Sequence, residues 1–220
     1  MKLSILVVKM DRDSKYCDYL LQSIKNTISL NAEEYEIVVY DNEGDHYTGS
    51  MSHGAGLTRG YKKTKGEFVL VLDPDTYFFE KGWDTELLQN FKQDPEIVLC
   101  GSVRCTSYET PFFYRPHFMG VRDSFYRDLI LDKDGFLPQV SGNLTVNDVA
   151  FRITEFCIEN NKKFFHYKNS LDDDLKKIYR FFGETIYNQN GVPFLHHTGR
   201  GSTKPERILD WVEFIENYRQ

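Results

Sequence analysis

The first hundred residues alternate between two hydrophobic periods. Four nearly continuous apolar runs, as expected of strands covered on both faces, are LSILVV (3–8), YEIVVYDN (35–42), EFVLVLD (67–73) and IVLCGS (97–102). Between them, apolar residues three and four apart indicate amphipathic helices. The alternation predicts an α/β fold in one domain, with a mostly parallel central sheet and helices on both faces.

One helix of the regular part is predicted at residues 54–65 and ends at Gly66. The later part of the chain is less regular. Residues 103–139 lack a clean helical or strand period and are interpreted as loops and short elements. Helical spacing returns at residues 146–161, at 172–182 and in the closing segment 205–218. The 220 residues are ample for a hydrophobic core without disulfides or a structural metal.

Charge and cysteine usage narrow the class of protein. A net charge of −6 argues against nucleic acid as a partner, because such binders usually carry a basic face. Four cysteines without metal-finger spacing are expected to be free thiols. The N-terminal apolar run is too short for a signal peptide, and no stretch reaches a membrane span. These features predict a cytoplasmic protein without a transmembrane segment.

Carboxylates follow the predicted strands at the edge where open α/β sheets bind ligands. Asp41 ends the second run, and Asp73 and Asp75 end the third, separated by Pro74. Proline forces Asp73 toward extended backbone, so the two carboxylates are expected on the same side, with Asp75 exposed at the sheet edge. A divalent cation would relieve their repulsion, and oxygen ligands suit Mg²⁺ or Mn²⁺. The alternative is that both residues only form a turn or cap the next helix.

At this point the sequence resembles the GT-A glycosyltransferases of family 2. The resemblance rests on LSILVV, then VVYDN, then GAGLTRGYKKTKGEFVLVLDPDTYF, in the family's order and at similar spacing. It departs from the family's helix motif at Gly60, which stands where the family has Asn after its Arg. The resemblance implies a GT-A fold in which residues 1–102 form the nucleotide-sugar-binding half and residues 103–220 the acceptor-binding and catalytic half.

The resemblance also implies roles for the residues that match. Asp41 would bind the nucleotide base, and Arg59 would lie near the nucleotide or its phosphates. Asp73 would contact the ribose or the metal, and Asp75 would bind the metal on the diphosphate of a DxD motif. A bound Mn²⁺ or Mg²⁺ could stabilise the charge that develops on the leaving nucleoside diphosphate. Without the resemblance, Arg59 is an ordinary exposed helix residue.

A second matching segment is NLTVNDVAFRITEF, which resembles the family's acidic signature at a helix start. Asp148 matches its Asp and Arg152 its Arg, whereas Asn147 stands where an acid is often found. The resemblance implies that Asp148 is the general base and that the reaction inverts the anomeric configuration. The alternative is a carboxylate that only complements the helix dipole.

The last matching segment is FLHHTGRGS, residues 194–202. The family often has a His five residues before a Ser, as a metal ligand, and His197 has that spacing to Ser202, with His196 in reserve. Adjacent side chains on a strand face opposite ways, so only one of the two histidines can face a shared site. Arg200, in a glycine-rich turn, is a candidate cation for phosphates.

The sequence is therefore compatible with three functions. The leading one is a metal-dependent glycosyltransferase that moves a sugar from a nucleotide-diphosphate sugar, most often a UDP-sugar in this family, to a glycan or other hydroxyl acceptor. A sugar-phosphate nucleotidyltransferase is the second, although the glycine-rich basic loop that such enzymes carry after the first strand is absent from VVKMDRDSK. The third is an inactive nucleotide-sugar or glycan-binding module.

Overall fold

The structure is a computed structural model that describes residues 1–43, 47–104, 113–141, 144–171, 183–199 and 207–218. Its strands, numbered in chain order, are β1 Leu3–Lys9, β2 Tyr35–Asp41, β3 Phe68–Leu72, β4 Thr76–Phe78, β5 Ile97–Arg104, β6 Phe113–Arg122, β7 Gln139–Ser141, β8 Leu144–Asn147, β9 Lys163–Leu171, β10 Glu184–Tyr187 and β11 Pro193–His197. The α-helices are α1 Ser14–Thr27, α2 Gly49–Tyr61, α3 Trp83–Gln93, α4 Asp123–Asp132, α5 Phe151–Glu159 and α6 Arg207–Tyr218.

Nine of the described strands form one mixed sheet in the order β2-β1-β3-β6-β5-β9-β10-β11-β4. In the central part, β1 pairs in parallel with β2 and β3, and β5 pairs in parallel with β9. Strand β6 runs antiparallel between β3 and β5. The remaining strands, β10, β11 and β4, extend the sheet by antiparallel pairing. The predicted α/β class and its central sheet are confirmed, with more antiparallel pairing than the periodicity indicated.

Helices cover both faces of the sheet, as the continuous apolar strands predicted. One buried cluster joins α1 and α3 to β1 and β3, and a second joins α2, α4 and α5 to the opposite face. Within β3, alternate residues divide between the two clusters: Leu70 and Leu72 belong to the first, and Val69 and Val71 to the second. Because every residue of β3 is buried, the strand has no polar face.

Helix α2 packs unusually close to the sheet because glycines face it. A Cβ on Gly56 would lie 2.7 Å from Cγ1 of Val8 and 2.8 Å from Cγ of Asn42. The helix covers residues 49–61, so it begins and ends earlier than the predicted 54–65. Its early start brings His53 onto the helix, next to the end of β3.

The segment predicted to form loops and short elements contains two regular elements of ten residues each, so that prediction was wrong. Strand β6 has ten residues and lies at the centre of the sheet, and α4 follows it directly. Pro116 and the polar residues beside it hid the strand pattern. The pairing of β6 with β5 shifts register between Gly101 and Val103, opposite this stretch, and such irregularities accommodate a proline that cannot join the hydrogen-bond ladder. The helix predicted at 172–182 lies outside the described residues.

Helix α6 closes the structure over the extension of the sheet. Trp211, Phe214 and Ile215 are buried against Tyr16 of α1 and Tyr77 of β4. The ring centroids of Trp211 and Tyr16 are 5.3 Å apart. This third cluster supports strands β4 and β11, on which part of the candidate site stands.

Candidate active site

The two aspartates lie where β3 ends and the chain turns into β4. Asp73 is half-buried, but Asp75 is only 6% exposed, so the prediction that Asp75 is exposed at the sheet edge was wrong. The reason is strand β4, which follows Asp75 and pairs with β11. Thr198, just after β11, donates its hydroxyl to Oδ2 of Asp75 at 3.1 Å. The turn is thus built into the sheet and does not project from it.

His197 brings the two carboxylates to one point. Its Nε2 lies 3.3 Å from Oδ1 of Asp75 and 3.6 Å from Oδ2 of Asp73. Strand pairing explains the approach, because His197 stands opposite Thr76, the residue that follows Asp75. The side chain is buried among polar groups, with 10% of it exposed. His197, more than 120 positions further along the chain, therefore meets Asp73 and Asp75 at the carboxyl end of β3.

The charges around His197 favour its protonated form. Burial alone would lower the pKa of this imidazole, but the nearby carboxylates of Asp75, Asp73 and Glu184 outweigh burial and raise the pKa above its ordinary value. The same carboxylates would stabilise a metal cation in place of that proton. The carboxylates of the site thus stabilise a positive charge placed between them.

His196 faces the other way. Its Nδ1 accepts a hydrogen bond of 3.2 Å from Nε1 of Trp211, and its ring centroid lies 4.6 Å from that of Phe214 in α6. Burial, followed by the charge of His197, lowers its pKa to about 3, so the ring is neutral. The alternation of side chains along β11 therefore directs His197 to the carboxylates and His196 into the aromatic cluster under α6. We leave His196 out of the ligand set.

Two further residues next to the aspartates were not singled out in the sequence. Nε2 of His53, on α2, lies 3.4 Å from Oδ1 of Asp73, and neither atom makes a hydrogen bond within the described residues. Asp13, in the turn before α1, is 5% exposed and accepts a hydrogen bond from the Met10 amide. Burial raises the pKa of Asp13, and the charge of Asp75 adds to that effect. No sequence pattern marks either residue, because their elements meet the site only in the folded chain.

A second histidine lies against His197. His117, on β6, is 1% exposed, and its ring is parallel to that of His197 with centroids 4.3 Å apart. Its Nε2 lies 2.7 Å from Oγ of Ser102 and 3.3 Å from Oε2 of Glu184. Burial would raise the pKa of Glu184, but the charge and hydrogen bond of His117 outweigh it and hold that pKa well below its usual range. No sequence pattern marks His117, which falls in the segment interpreted as loops and short elements.

Asp41 and Arg59 lie on the far side of β1 from Asp73. Asp41 ends β2, opposite Lys9, and the Lys9 ammonium lies 3.1 Å from its Oδ2. The Glu43 amide, and then Lys9, lower the pKa of this exposed carboxyl. Nη1 of Arg59 lies 3.5 Å from Oδ1 of Asn42, the residue after Asp41. Two strand spacings, about 10 Å, separate β2 from β3, which suits a ligand that spans both ends.

Asp148 stands just before α5 and is exposed. Its Oδ1 accepts a hydrogen bond of 2.8 Å from the Val149 amide. Arg152 is exposed one turn later and donates to the Lys133 carbonyl at 3.1 Å. The carboxylate thus retains an oxygen directed away from that backbone bond. Arg200 and Ser202 lie outside the described residues.

The residues at the end of β3 fit a divalent cation. Asp73, His117 and His197 each offer a ligand atom within 4.8 Å of the others, and Asp75 contacts His197. Oδ1 of Asp73 is buried without a hydrogen bond in the described part of the chain, which is costly for a carboxylate unless a cation or ligand satisfies it. Oxygen donors combined with imidazole suit Mn²⁺ at least as well as Mg²⁺.

A known protein family shares the segment of the chain that carries this site. The profile described as Glycosyl transferase family 2 matches residues 48–201, which is most of the chain and includes α2, both aspartates and both histidines of β11. The chain belongs to glycosyltransferase family 2. Membership agrees with the resemblance found in the sequence. No curated protein matches the chain.

Solved glycosyltransferase structures share the family 2 fold at low identity. S. aureus TarS residues 1–349 superpose with a TM-score of 0.56 at 15% identity, covering 97% of this chain and 65% of that one. A mannosyltransferase from Pyrobaculum calidifontis, in complex with GDP-Man and Mn²⁺, gives a TM-score of 0.52 at 12% identity, covering 75% of this chain and 54% of that one. The chain thus spans about half to two thirds of the length of these structures. Identities this low establish the GT-A fold alone.

Among the described helices, none combines the length and the apolar character that crossing a bilayer requires.

Proposed function

We propose that this family 2 chain transfers a sugar from a nucleotide-diphosphate sugar to a hydroxyl acceptor, with a divalent cation in the site at the end of β3. The observation that carries the proposal is the convergence of Asp73, Asp75 and His197, whose Nε2 lies 3.3 and 3.6 Å from the two carboxylates. Such a cluster is expensive to assemble without a cation, because it concentrates buried negative charge. Asp73, Asp75 and His197 would hold the cation.

A bound Mn²⁺ or Mg²⁺ would supply Lewis-acid stabilisation of the diphosphate as the glycosidic bond breaks. The chain's own residues place the rest of the donor. Asp41 would accept hydrogen bonds from the nucleotide base, and Arg59, on the helix beside it, would face the nucleotide or its phosphates. The spacing between the ends of β2 and β3 suits a nucleotide that lies across β1. Arg200 is a further candidate for the phosphates.

UDP is the nucleotide that we propose for the donor, by the habit of the family. The mannosyltransferase neighbour was solved with GDP-Man and Mn²⁺, so a guanosine nucleotide is the first competitor to test.

Asp148 would act on the acceptor. An exposed carboxylate before a helix can accept the proton of the attacking hydroxyl as the new glycosidic bond forms. Attack from the side opposite the leaving nucleotide would invert the anomeric configuration. The oxygen of Asp148 that does not bind the Val149 amide is the one available for this transfer.

The first experiment is a thermal-shift matrix of UDP, GDP, dTDP and CMP, each with and without Mn²⁺. A ligand that binds only the folded protein stabilises it by about 2.7 kcal/mol at a hundredfold excess over its dissociation constant. We expect a shift with one nucleotide that requires the metal. The absence of any shift would contradict the proposed donor site.

The matched variants are Asp75→Asn and Asp94→Asn. The first keeps an acceptor for Thr198 but removes the charge at the site, and the second removes a partly exposed carboxylate that contacts Lys163 and the Glu96 amide. The metal-dependent shift should disappear in the first and persist in the second. Product analysis with a UDP-sugar then separates the three functions: a transferase releases nucleoside diphosphate, a nucleotidyltransferase forms or consumes pyrophosphate, and a binding module does neither.

A further inference from the structure

The ring of His117 forms one wall of the candidate metal site. It stacks on His197 with 5° between the ring planes and 4.3 Å between the centroids. Both residues are buried, at 1% and 8% exposure. A ring in parallel contact restricts rotation of His197 about its last side-chain bond, because turning either ring out of the stack would drive it into its neighbour.

A polar network fixes His117 itself. Its Nε2 contacts the Ser102 hydroxyl at 2.7 Å and Oε2 of Glu184 at 3.3 Å. Asn169 donates its side-chain amide to the other oxygen of Glu184. Strands β5, β6, β9 and β10 thus each contribute one side chain to this buried unit. A buried carboxylate with these partners is satisfied without a metal.

The position of His117 near Asp73 raises the question of whether it is itself a ligand. The lone pair of an imidazole nitrogen lies in the plane of its ring, and a metal binds along that direction. The lone pairs of two stacked rings lie in two separate, parallel planes. Both rings therefore cannot direct a lone pair at one ion. Because Nε2 of His197 faces Asp75 and Asp73, these two carboxylates and His197 would hold the ion. His117, whose ring is stacked parallel to that of His197, would not direct a lone pair at the same ion.

We infer that His117 is a positioning residue, which stacks on His197 and aims Nε2 of His197 at the two aspartates, while Glu184 and Ser102 anchor His117. This inference rests on the proposed function, since it assigns His197 as a metal ligand. Partners that orient a metal-binding histidine typically contribute 10–100-fold to metal affinity. Here the orienting contact is a ring face in place of the usual hydrogen bond.

The test compares rings of different chemistry at position 117. Replacing His117 alone would leave Oε2 of the buried Glu184 carboxylate without its imidazole partner, so every variant carries Glu184→Gln. In that background we would measure the Mn²⁺ dissociation constant, by calorimetric titration of the metal alone, for His117, His117→Phe, His117→Leu and His117→Ala. Phe keeps the stacked ring but has no nitrogen, whereas Leu fills the space without a ring. Thermal unfolding of each variant reports folding independently.

A second stacked histidine provides the control. His166, on β9, lies parallel to Tyr114, with 3° between the ring planes and 5.3 Å between the centroids, and its Nδ1 lies 3.0 Å from the Tyr114 hydroxyl. His166→Ala therefore removes a stacked imidazole from another part of the sheet. Its Mn²⁺ dissociation constant should equal that of the parent chain, whatever its effect on thermal stability.

Each outcome decides the inference. Positioning predicts that the Phe variant stays within about threefold of its background, while the Leu and Ala variants weaken Mn²⁺ binding about tenfold or more. Equal losses in the Phe, Leu and Ala variants would show that a His117 nitrogen binds the metal and overturn the inference. Unchanged affinity in all of them would overturn it too, and both results leave the proposed function standing. If the parent chain does not bind Mn²⁺, the proposed metal site fails together with the inference.

Discussion

Thr198 holds Asp75 at two points. Its amide donates to the Asp75 carbonyl at 3.0 Å, and its hydroxyl donates to Oδ2 of the Asp75 carboxylate at 3.1 Å. The second bond leaves Oδ1 facing Nε2 of His197 at 3.3 Å. Thr198 is fully buried, so the orientation of the carboxylate is built into the end of β11.

Thr198→Val should therefore weaken metal binding. Valine keeps the shape and the amide bond but removes the hydroxyl, which frees Oδ2 to rotate. We expect a loss of about tenfold in Mn²⁺ affinity, measured by calorimetry, and of about 1 kcal/mol in the free energy of unfolding. Thr198→Ser keeps the hydroxyl and should behave like the parent. Parent-like Mn²⁺ binding by the valine variant would show that this bond does not orient Asp75.

Asp148→Asn tests the base. The side chain is exposed, so the substitution should leave unfolding unchanged. Because an amide cannot accept the proton, we expect turnover to fall by about 10²–10⁴-fold while the metal-dependent nucleotide shift persists. Glu159→Gln, an exposed carboxylate at the end of the same helix, is the control. Turnover by the asparagine variant within a few fold of the parent would remove Asp148 from the mechanism.

The lowered pKa of Glu184 predicts that this carboxylate stabilises the fold in a pH-dependent way. Because its pKa is lower in the folded chain than in the unfolded one, the stabilisation is fully present above the ordinary pKa of 4.5 and is lost as the pH falls below it. We expect Glu184→Gln to lower the free energy of unfolding by about 2 kcal/mol at pH 7, a typical value for a hydrogen-bonded charge. The difference from the parent should shrink below pH 4.5 in denaturant titrations. A difference that stays constant with pH would contradict this assignment.

Substitution of Gly56 tests how closely α2 packs against the sheet. Alanine gains about 1 kcal/mol in helix propensity, but overpacking costs about 1–3 kcal/mol. Because the new Cβ would lie 2.7 Å from Val8 and 2.8 Å from Asn42, overpacking should outweigh the gain in helix propensity. Gly56→Ala should therefore lower the free energy of unfolding by about 1 kcal/mol in denaturant titrations. Gly56→Val should lose more. A stabilised alanine variant would mean that the helix can move away from the sheet.

Much of the fold was predictable because it depends on local pattern. The apolar runs of β1, β3 and β5 are buried on both faces, and this burial leaves a periodicity that can be read without the fold. Strand β6 was missed because Pro116 and its polar neighbours break that pattern. The strand is stable nonetheless, since it lies between β3 and β5 and its irregular stretch is accommodated by a register shift.

The sequence by itself determined the carboxyl end of β3 as the place for charge chemistry. Asp73 and Asp75 follow a buried strand, and His197 stands in a pattern shared with family 2. Only the tertiary structure decided which side chains join them: it turned His196 toward Trp211, buried Asp75 behind Thr198, and brought in His53, Asp13 and His117. The physical reason is that a strand's own residues specify its burial locally, whereas neighbours across a sheet are set by pairing between distant segments. Those pairings leave no periodic trace in the chain.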